Sequence, residues 1–533
     1  MAATAHLDTF VRDNLPSADQ LPQFVFDLPA LLYPERLNAA SLLDRTAAAN
    51  PHGRGVLHGG QVWSWAELAA HADRLARVLA EDLGLVPGNR VLLHAPNRPW
   101  AVAAWFAIVK AGGVVVATMP LLRAGELAVV AETAQVEFAL ADAALRETVD
   151  AAAVETGRLN RRLYFGEGGE MEALAAAKPA GFTAVDTAAD DPALIAFTSG
   201  TTGKPKGCVH FHRDVLAMAD TFSRHVLDMG PDETVCGTPP FAFTFGLGGL
   251  VIFPVAAGAT IALCERPGFD ALCETIQGHR VTTLFTAPTG YRALLKLKDQ
   301  FDLSSLRKCV SAGEALPAAT SDAWFEATGI RIVDGIGSTE MIHIFISAAG
   351  EDIRPGATGR AVPGYRARVI GEDGRELPPG EVGRLAVQGP TGCKYLADER
   401  QRNYVVDGWN LTGDLYHRDE DGYFWFVSRA DDLIVSAGYN IAAIEVEQAL
   451  LRHPAVSEAA VIGVPDEERG QICKAFVVLH DPRAASGALK VELQDFVKRT
   501  IAPYKYPRAL EFTAELPKTQ TGKLQRFRLK APA

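Results

Sequence analysis

From about residue 60 the apolar positions follow two alternating periods. Ser64 and Glu67 stand three apart ahead of Leu68, Leu75 and Leu79, a capping-box spacing that predicts a helix start, and Gly84 supplies its stop. Residues 91–95 are a short apolar run, 101–110 a helical stretch, and 113–118 a β-branched run. Helix at 126–133 and strand at 137–141 continue the alternation, and strands recur at 193–197, 282–286, 308–311 and 331–334. Strands separated by helices of this length must pair in parallel, with helices covering the sheet faces. After about residue 355 the pattern changes to short β runs (367–370, 383–388, 423–427) between turns such as Pro378–Pro379–Gly380. Beyond Arg429 come a strand pair, a helix (444–453), strands (459–463, 475–479) and a helix (491–501), enough chain to fold alone. The expected fold is α/β: a large N-terminal domain (1–430) of parallel-type sheets with flanking helices plus a β-rich subdomain, and a small α+β C-terminal domain (431–533).

Composition adds exclusions. The chain has 533 residues, 48% hydrophobic and 22% charged, with a net charge of −12, so a nucleic-acid backbone would find no basic stripe. No charge lies between Glu233 and Glu265, but Pro239, Pro240, Pro254 and five glycines interrupt that stretch, which predicts a buried strand and loops rather than a membrane span. The opening MAATAHLDTFVRD has neither a basic nor an apolar leader region. Cys208, Cys236, Cys264, Cys273, Cys309, Cys393 and Cys473 form no C-x-x-C pair or zinc spacing, as expected for reduced thiols in a cytoplasmic protein. His212–Arg213–Asp214 matches a kinase triplet, but the rest of the kinase set is absent.

The strongest chemical signal directly follows the apolar run 193–197. Thr198, Ser199, Gly200, Thr201, Thr202, Gly203, Lys204, Pro205, Lys206 and Gly207 combine hydroxyls, two lysines and three glycines. Glycine lets successive N–H groups converge, and such a nest suits a polyphosphate. The spacing is not that of a Walker loop.

This segment resembles the phosphate loop of the adenylate-forming superfamily, which includes acyl-CoA synthetases, and further segments follow in that family's order. Ser311–Pro317, with Ala312, Gly313 and Glu314, is similar to the adenine-side motif. Gly335–Ile336–Gly337–Ser338–Thr339–Glu340, preceded by Asp334, resembles the second nucleotide motif; the resemblance implies that Thr339 bonds the α-phosphate and Glu340 ligates Mg²⁺. Asp414, in Thr412–Leu415, would accept from the ribose hydroxyls, and Arg429 and Asp431 fall in the hinge motif, where Ser428 replaces the usual glycine. Lys523 matches the catalytic lysine of the C-terminal motif. Alone, Asp414 reads equally as a turn aspartate and Lys523 as a solvated tail lysine.

What the resemblance implies is a two-step ligase. ATP and a carboxylic acid form an acyl-adenylate, the small domain pivots about Asp431, and coenzyme A takes the acyl group. Gly438 and Tyr439 would then line the thiol tunnel, and the basic residues Lys518, Lys523, Arg526, Arg528 and Lys530 are candidates for the CoA phosphates. Phe241, Phe243, Thr244 and Phe245 occupy the acyl-pocket segment, joined by Gly337, His343 and Ile344. Three aromatics without an acidic partner for an ammonium suggest a benzoate-sized acid. The residues from His6 to Pro16 resemble the 2-aminobenzoate branch, and Thr244–Phe245 departs from the Ala-Tyr of benzoate ligases. The expected partners are thus a small aromatic acid, ATP and CoA, with no nucleic acid and no membrane; monomer and homodimer both stay open. A stand-alone adenylation enzyme that loads a carrier protein would share every nucleotide motif.

Overall fold

The computed structural model describes residues 3–198, 205–436, 439–466, 468–518 and 524–529. Two sheets form the body of the large domain. One has six strands in the order Arg161–Phe165, Phe138–Asp142, Arg90–His94, Val114–Thr118, Pro192–Thr198, Lys206–Phe211. All its neighbours are parallel except the last pair. The central strands Arg90–His94 and Val114–Thr118 are buried throughout, as a sheet covered on both faces requires. Alternate residues feed two cores: Val91, Leu93 and Val115 enter one, Leu92, Val114 and Val116 the other.

The second sheet has nine strands: Arg360–Ala361, Ile344–Ser347, Ile332–Gly337, Lys308–Ala312, Thr283–Thr286, Thr234–Gly237, Thr260–Leu263, Arg54–His58, Gln61–Ser64. Its middle pairs are parallel and both margins are antiparallel. Val235, Ile261, Phe285 and Val310 point into the core that also takes Val91 and Val115, so the two sheets share it. The helix Trp65–Arg77 begins on the expected capping box, Glu67 N–H donating to Ser64 Oγ at 3.2 Å and Ser64 N–H to Glu67 Oε2 at 2.7 Å.

The charge-free stretch differs from expectation. Strands Thr234–Gly237 and Thr260–Leu263 are there, but between them runs a buried helical segment, Thr244–Leu247, a π turn Gly248–Ile252, and Phe253–Ala257. Its glycines serve close approach rather than turning. A Cβ on Gly248 would meet His343 Cδ2 at 2.4 Å, and one on Gly249 would meet Phe285 Cδ1 at 2.5 Å. Pro254 comes just after the π turn, where the ladder of intrahelical bonds changes register. Among the described residues no helix is long and apolar enough to cross a membrane.

The β-rich part is antiparallel: Arg366–Ile370, Gly383–Gln388, Trp409–Arg418, Val405–Val406, with Phe424–Arg429 also on Trp409–Arg418. The C-terminal part has its own sheet, Tyr439–Ala442, Leu433–Ser436, Gly470–Leu479 and Val456–Asp466, with Ala509–Phe512 parallel to Gly470–Leu479. Helices Ala443–Leu451 and Gly487–Thr500 close a separate core around Val446, Leu450, Val461, Val477 and Leu493. The hairpin strands run longer than the apolar pattern implied, because their polar ends pair out to Asp466 and Gly470.

Candidate active site

Three of the sequence motifs begin at carboxyl ends of strands. Thr198 ends one, Ala312 ends Lys308–Ala312, and Gly335–Gly337 ends Ile332–Gly337. Ligands of open α/β sheets bind at that edge. Thr198 pairs with Lys206 across the antiparallel margin, so the chain leaves and re-enters the sheet at one point. Ser199, Gly200, Thr201, Thr202, Gly203 and Lys204 lie outside the described residues.

Glu340 is buried and held by a chain of groups. Lys206 Nζ donates to the Tyr395 hydroxyl at 2.8 Å, lies 4.6 Å from that ring's centre, and stands 3.9 Å from Glu340 Oε1. Tyr395 O–H donates to Glu340 Oε1. Burial and the Cys208 sulfur raise the carboxyl pKa, opposed by the Tyr395 hydrogen bond and by Lys206. The turn that carries Thr339 and Glu340 includes Ile342 at φ +64°, a conformation unfavourable for a β-branched residue. Several bonds hold it. Met341 N–H donates to Ser338 Oγ at 3.2 Å, Thr391 Oγ1 to Met341 O at 2.8 Å, and His210 Nε2 to Thr339 O at 2.8 Å. Ser338 and Tyr404 hydroxyls share a bond of 3.2 Å.

Behind His210, its Nδ1 is 3.7 Å from Asp214 Oδ2, and Lys394 Nζ donates to the same carboxylate at 2.9 Å. The Asp214 and Lys394 side chains have no exposed surface. Burial opposes ionisation of Asp214, yet Lys394 and His210 hold its carboxyl well below the usual range. Sequence reasoning missed Tyr395, Tyr404, His210, Asp214 and Lys394. In sequence Asp214 stands beside Arg213 in a kinase-like triplet and Lys394 lies in a Gly- and Pro-containing stretch close to Asp398 and Glu399, so neither reads as half of a buried pair.

On the adenine side, Asp334 and Ser311 face each other in register across the sheet. Burial pushes the Asp334 pKa up to about 7, and among the described residues neither Asp334 Oδ1 nor Ser311 Oγ has a hydrogen-bond partner. Gly313 takes φ +90° and Glu314 is half-buried. Asp414 is buried opposite Arg429, whose Nη1 donates to Asp414 Oδ1 at 3.0 Å and to Thr412 O at 3.1 Å. Gly413 at φ +79° leaves room for that guanidinium: a Cβ there would meet Arg429 Nη2 at 2.9 Å.

The acyl segment is divided. Phe241 is buried in the shared core, with its N–H on Asn97 Oδ1 at 2.9 Å. Phe245 packs edge-on to Phe285. Phe243 is half-buried before the helix and outside this aromatic cluster. Thr244 is buried at the first helical position. His343 lies among Phe222, Phe245 and Phe253 at ring separations of 5.4, 5.9 and 4.6 Å. Among the described residues neither His343 ring nitrogen has a hydrogen-bond partner, and burial lowers its pKa to about 3. Gly337 is required where the strands approach: a Cβ would meet His343 O at 2.6 Å. Ile344 is buried against Gly335.

In the C-terminal part, Asp431 falls in the short turn Ala430–Asp432, with its side chain outside the described residues, as are Gly438 and Lys523. Tyr439 is exposed and its ring lies 4.7 Å from that of Tyr504. Two basic residues suggested for CoA are engaged internally: Arg526 binds Glu447 and Asp432, and Lys518 binds Glu458 at 2.7 Å.

Known proteins sharpen this picture. Residues 43–395 match the model of the AMP-binding enzyme family, and residues 445–523 match that of the AMP-binding enzyme C-terminal domain. The chain belongs to the AMP-binding enzyme family. A benzoate–CoA ligase of Thauera aromatica is 36% identical, covering 94% of this chain and 97% of that one. Among solved structures, an anthranilate CoA ligase in complex with anthranoyl-AMP superposes with a TM-score of 0.90 at 35% identity, over 94% of this chain and 98% of that one. A benzoate CoA ligase from Burkholderia xenovorans LB400 gives 0.85 at 33%, over 93% and 100%. This AMP-binding enzyme is therefore an ATP-dependent, AMP-forming acid–CoA ligase.

Proposed function

We propose that this ligase activates a benzoate-sized aromatic acid, with 2-aminobenzoate as the best candidate and benzoate next. The observation that carries the reading is His343, an imidazole kept neutral by burial, walled by three phenylalanine rings, with neither nitrogen hydrogen-bonded among the described residues. Such a group offers a directional contact inside an apolar, flat-sided environment. Thr244, buried at a helix start beside Phe245, offers a second. An aromatic amine is neutral at pH 7 and needs no carboxylate. The similar benzoate and anthranilate ligases support the same class.

In the proposed mechanism a carboxylate oxygen of the acid attacks the α-phosphorus of ATP and pyrophosphate leaves. The CoA thiolate then attacks the acyl carbon and AMP leaves with that oxygen. The loop 198–207 cradles the outer phosphates, Thr339 bonds the α-phosphate, and Asp414 accepts from the ribose. Magnesium fits: Glu340 is one buried carboxylate beside the phosphate loop, and Mg²⁺ is commonly held by one or two carboxylates together with substrate phosphates. When bound, Mg²⁺ neutralises phosphate charge. Lys523 supplies positive charge as the first bond forms. The unit 431–533 then turns about Asp431, exchanging Lys523 for the segment of Gly438 and Tyr439. Seven free thiols suit a cytoplasmic enzyme.

The test is kcat/KM for thioester formation with 2-aminobenzoate, benzoate, octanoate and acetate. Aromatic acids should lead, with 2-aminobenzoate ahead of benzoate by a modest factor; one polar contact is worth on the order of 1–3 kcal/mol. Thr244→Ala should narrow that factor. If octanoate or acetate leads, the aromatic-pocket reading fails.

A further inference from the structure

The strand Lys206–Phe211 contributes two groups to the turn 338–342. Lys206 reaches Glu340 through Tyr395, and His210, four residues on and so on the same strand face, reaches the Thr339 carbonyl. A carbonyl only accepts, so the His210 Nε2 carries the proton. The segment facing this strand is equally committed. Cys208 pairs with Tyr395, and Val209 N–H donates to Lys394 O at 2.8 Å, which sets Lys394 against Asp214 and Asp214 beside His210 Nδ1. The His210 ring is fully buried, and its Nδ1 stands 3.7 Å from the Asp214 carboxylate, beyond hydrogen-bond distance. A fully buried ion pair is weak evidence for a stabilising role; here it stands directly behind a strained turn.

We propose that His210 is a positioning residue for nucleotide binding: its Nε2–H, with the Asp214–Lys394 pair behind the ring, fixes the Thr339 carbonyl and so aims the Thr339 hydroxyl and the Glu340 carboxylate. This rests on reading residues 335–340 as the nucleotide segment. His210 touches no substrate. It acts through the peptide between Thr339 and Glu340, so its loss changes nucleotide affinity and adenylation rather than the affinity for the acid.

The experiment uses the full chain with His210→Leu, which keeps volume and removes the donor, and His210→Gln, whose amide can place N–H near the same point. AMP affinity is measured by calorimetry in EDTA, and adenylation by acid-dependent ATP–pyrophosphate exchange. His210→Leu should weaken AMP at least roughly fivefold and lower exchange kcat at least about tenfold, with His210→Gln within about threefold of the parent in both. Similar melting temperatures of the two variants separate positioning from folding. The double variant Asp214→Ala, Lys394→Met removes both charges of the pair and should fall between them; parent-like AMP binding in it removes the ion pair from the proposal. Equal behaviour of the Leu and Gln variants, or parent-like AMP binding by His210→Leu, overturns it. Thr339→Val tells the two readings apart. If it weakens AMP while His210→Leu does not, the positioning role alone fails; if it binds AMP like the parent, the nucleotide reading fails and takes this proposal with it.

Discussion

Arg429 and Asp414 face each other across paired strands, and the guanidinium donates to Asp414 Oδ1 at 3.0 Å. The last residue before the turn at Asp431 is thereby tied to the carboxylate proposed to hold the ribose. Arg429→Ala should raise KM for ATP by roughly fivefold, about 1 kcal/mol, because the arginine is partly exposed and the bond is screened. Asp414→Ala should cost more, since it removes the ribose acceptor itself. Steady-state kinetics with ATP varied will decide; a change confined to the CoA step would assign Arg429 to the hinge alone.

Tyr395→Phe removes the hydroxyl that bridges Lys206 and Glu340 while keeping the ring. Adenylation kcat/KM should fall roughly 10- to 100-fold, matching the ~1.5–3 kcal/mol of a hydrogen bond to a charged group. Pyrophosphate exchange at parent level would show that Glu340 needs no such support.

Lys523→Ala and Gly438→Leu should damage opposite halves of the reaction. The first should slow adenylation by roughly 10²–10³-fold and spare thioester formation from pre-made adenylate. The second should release pyrophosphate in a single turnover yet fail to transfer to CoA, for want of space. Equal losses in both half-reactions for either variant contradict the swinging small domain.

Acid should destabilise the enzyme through its buried imidazoles. His343 and His212 sit at about 3 and His94 at about 4, each lowered chiefly by burial. The unfolded chain binds a proton near 6.5 and the folded chain does not, so stability is lost as pH falls from about 6.5 toward 4, by up to ~1.4 kcal/mol per unit for each histidine. His343→Leu should therefore lose less melting temperature than the parent between about pH 7 and pH 5. An unchanged difference would mean that His343 is accessible to protons in the fold.

Much of the scaffold was legible because local chemistry and tertiary packing agreed. The Ser64–Glu67 box forms as its spacing dictates, and the β-branched run 114–118 is a buried parallel strand. The segment 244–257 was not legible, since an apolar run with glycines and proline has no period to read, and its helix depends on His343 and Phe285 filling the space above Gly248 and Gly249. The support behind Glu340 was hidden for a related reason. His210, Asp214, Lys394 and Tyr395 are brought together by the pairing of Cys208 with Tyr395, a contact across 187 residues of chain that no motif announces. Arg526 shows a third case: a basic tail residue whose partners, Glu447 and Asp432, lie 79 and 94 residues earlier in the chain and have no signal in sequence.

The most direct test of the whole account follows the carboxylate oxygens. With 2-aminobenzoate labelled with ¹⁸O at both carboxylate positions, ATP and CoA, the AMP produced in a single turnover should carry one label and the thioester the other, with none in pyrophosphate. Unlabelled AMP, or no thioester from this acid at all, would contradict it.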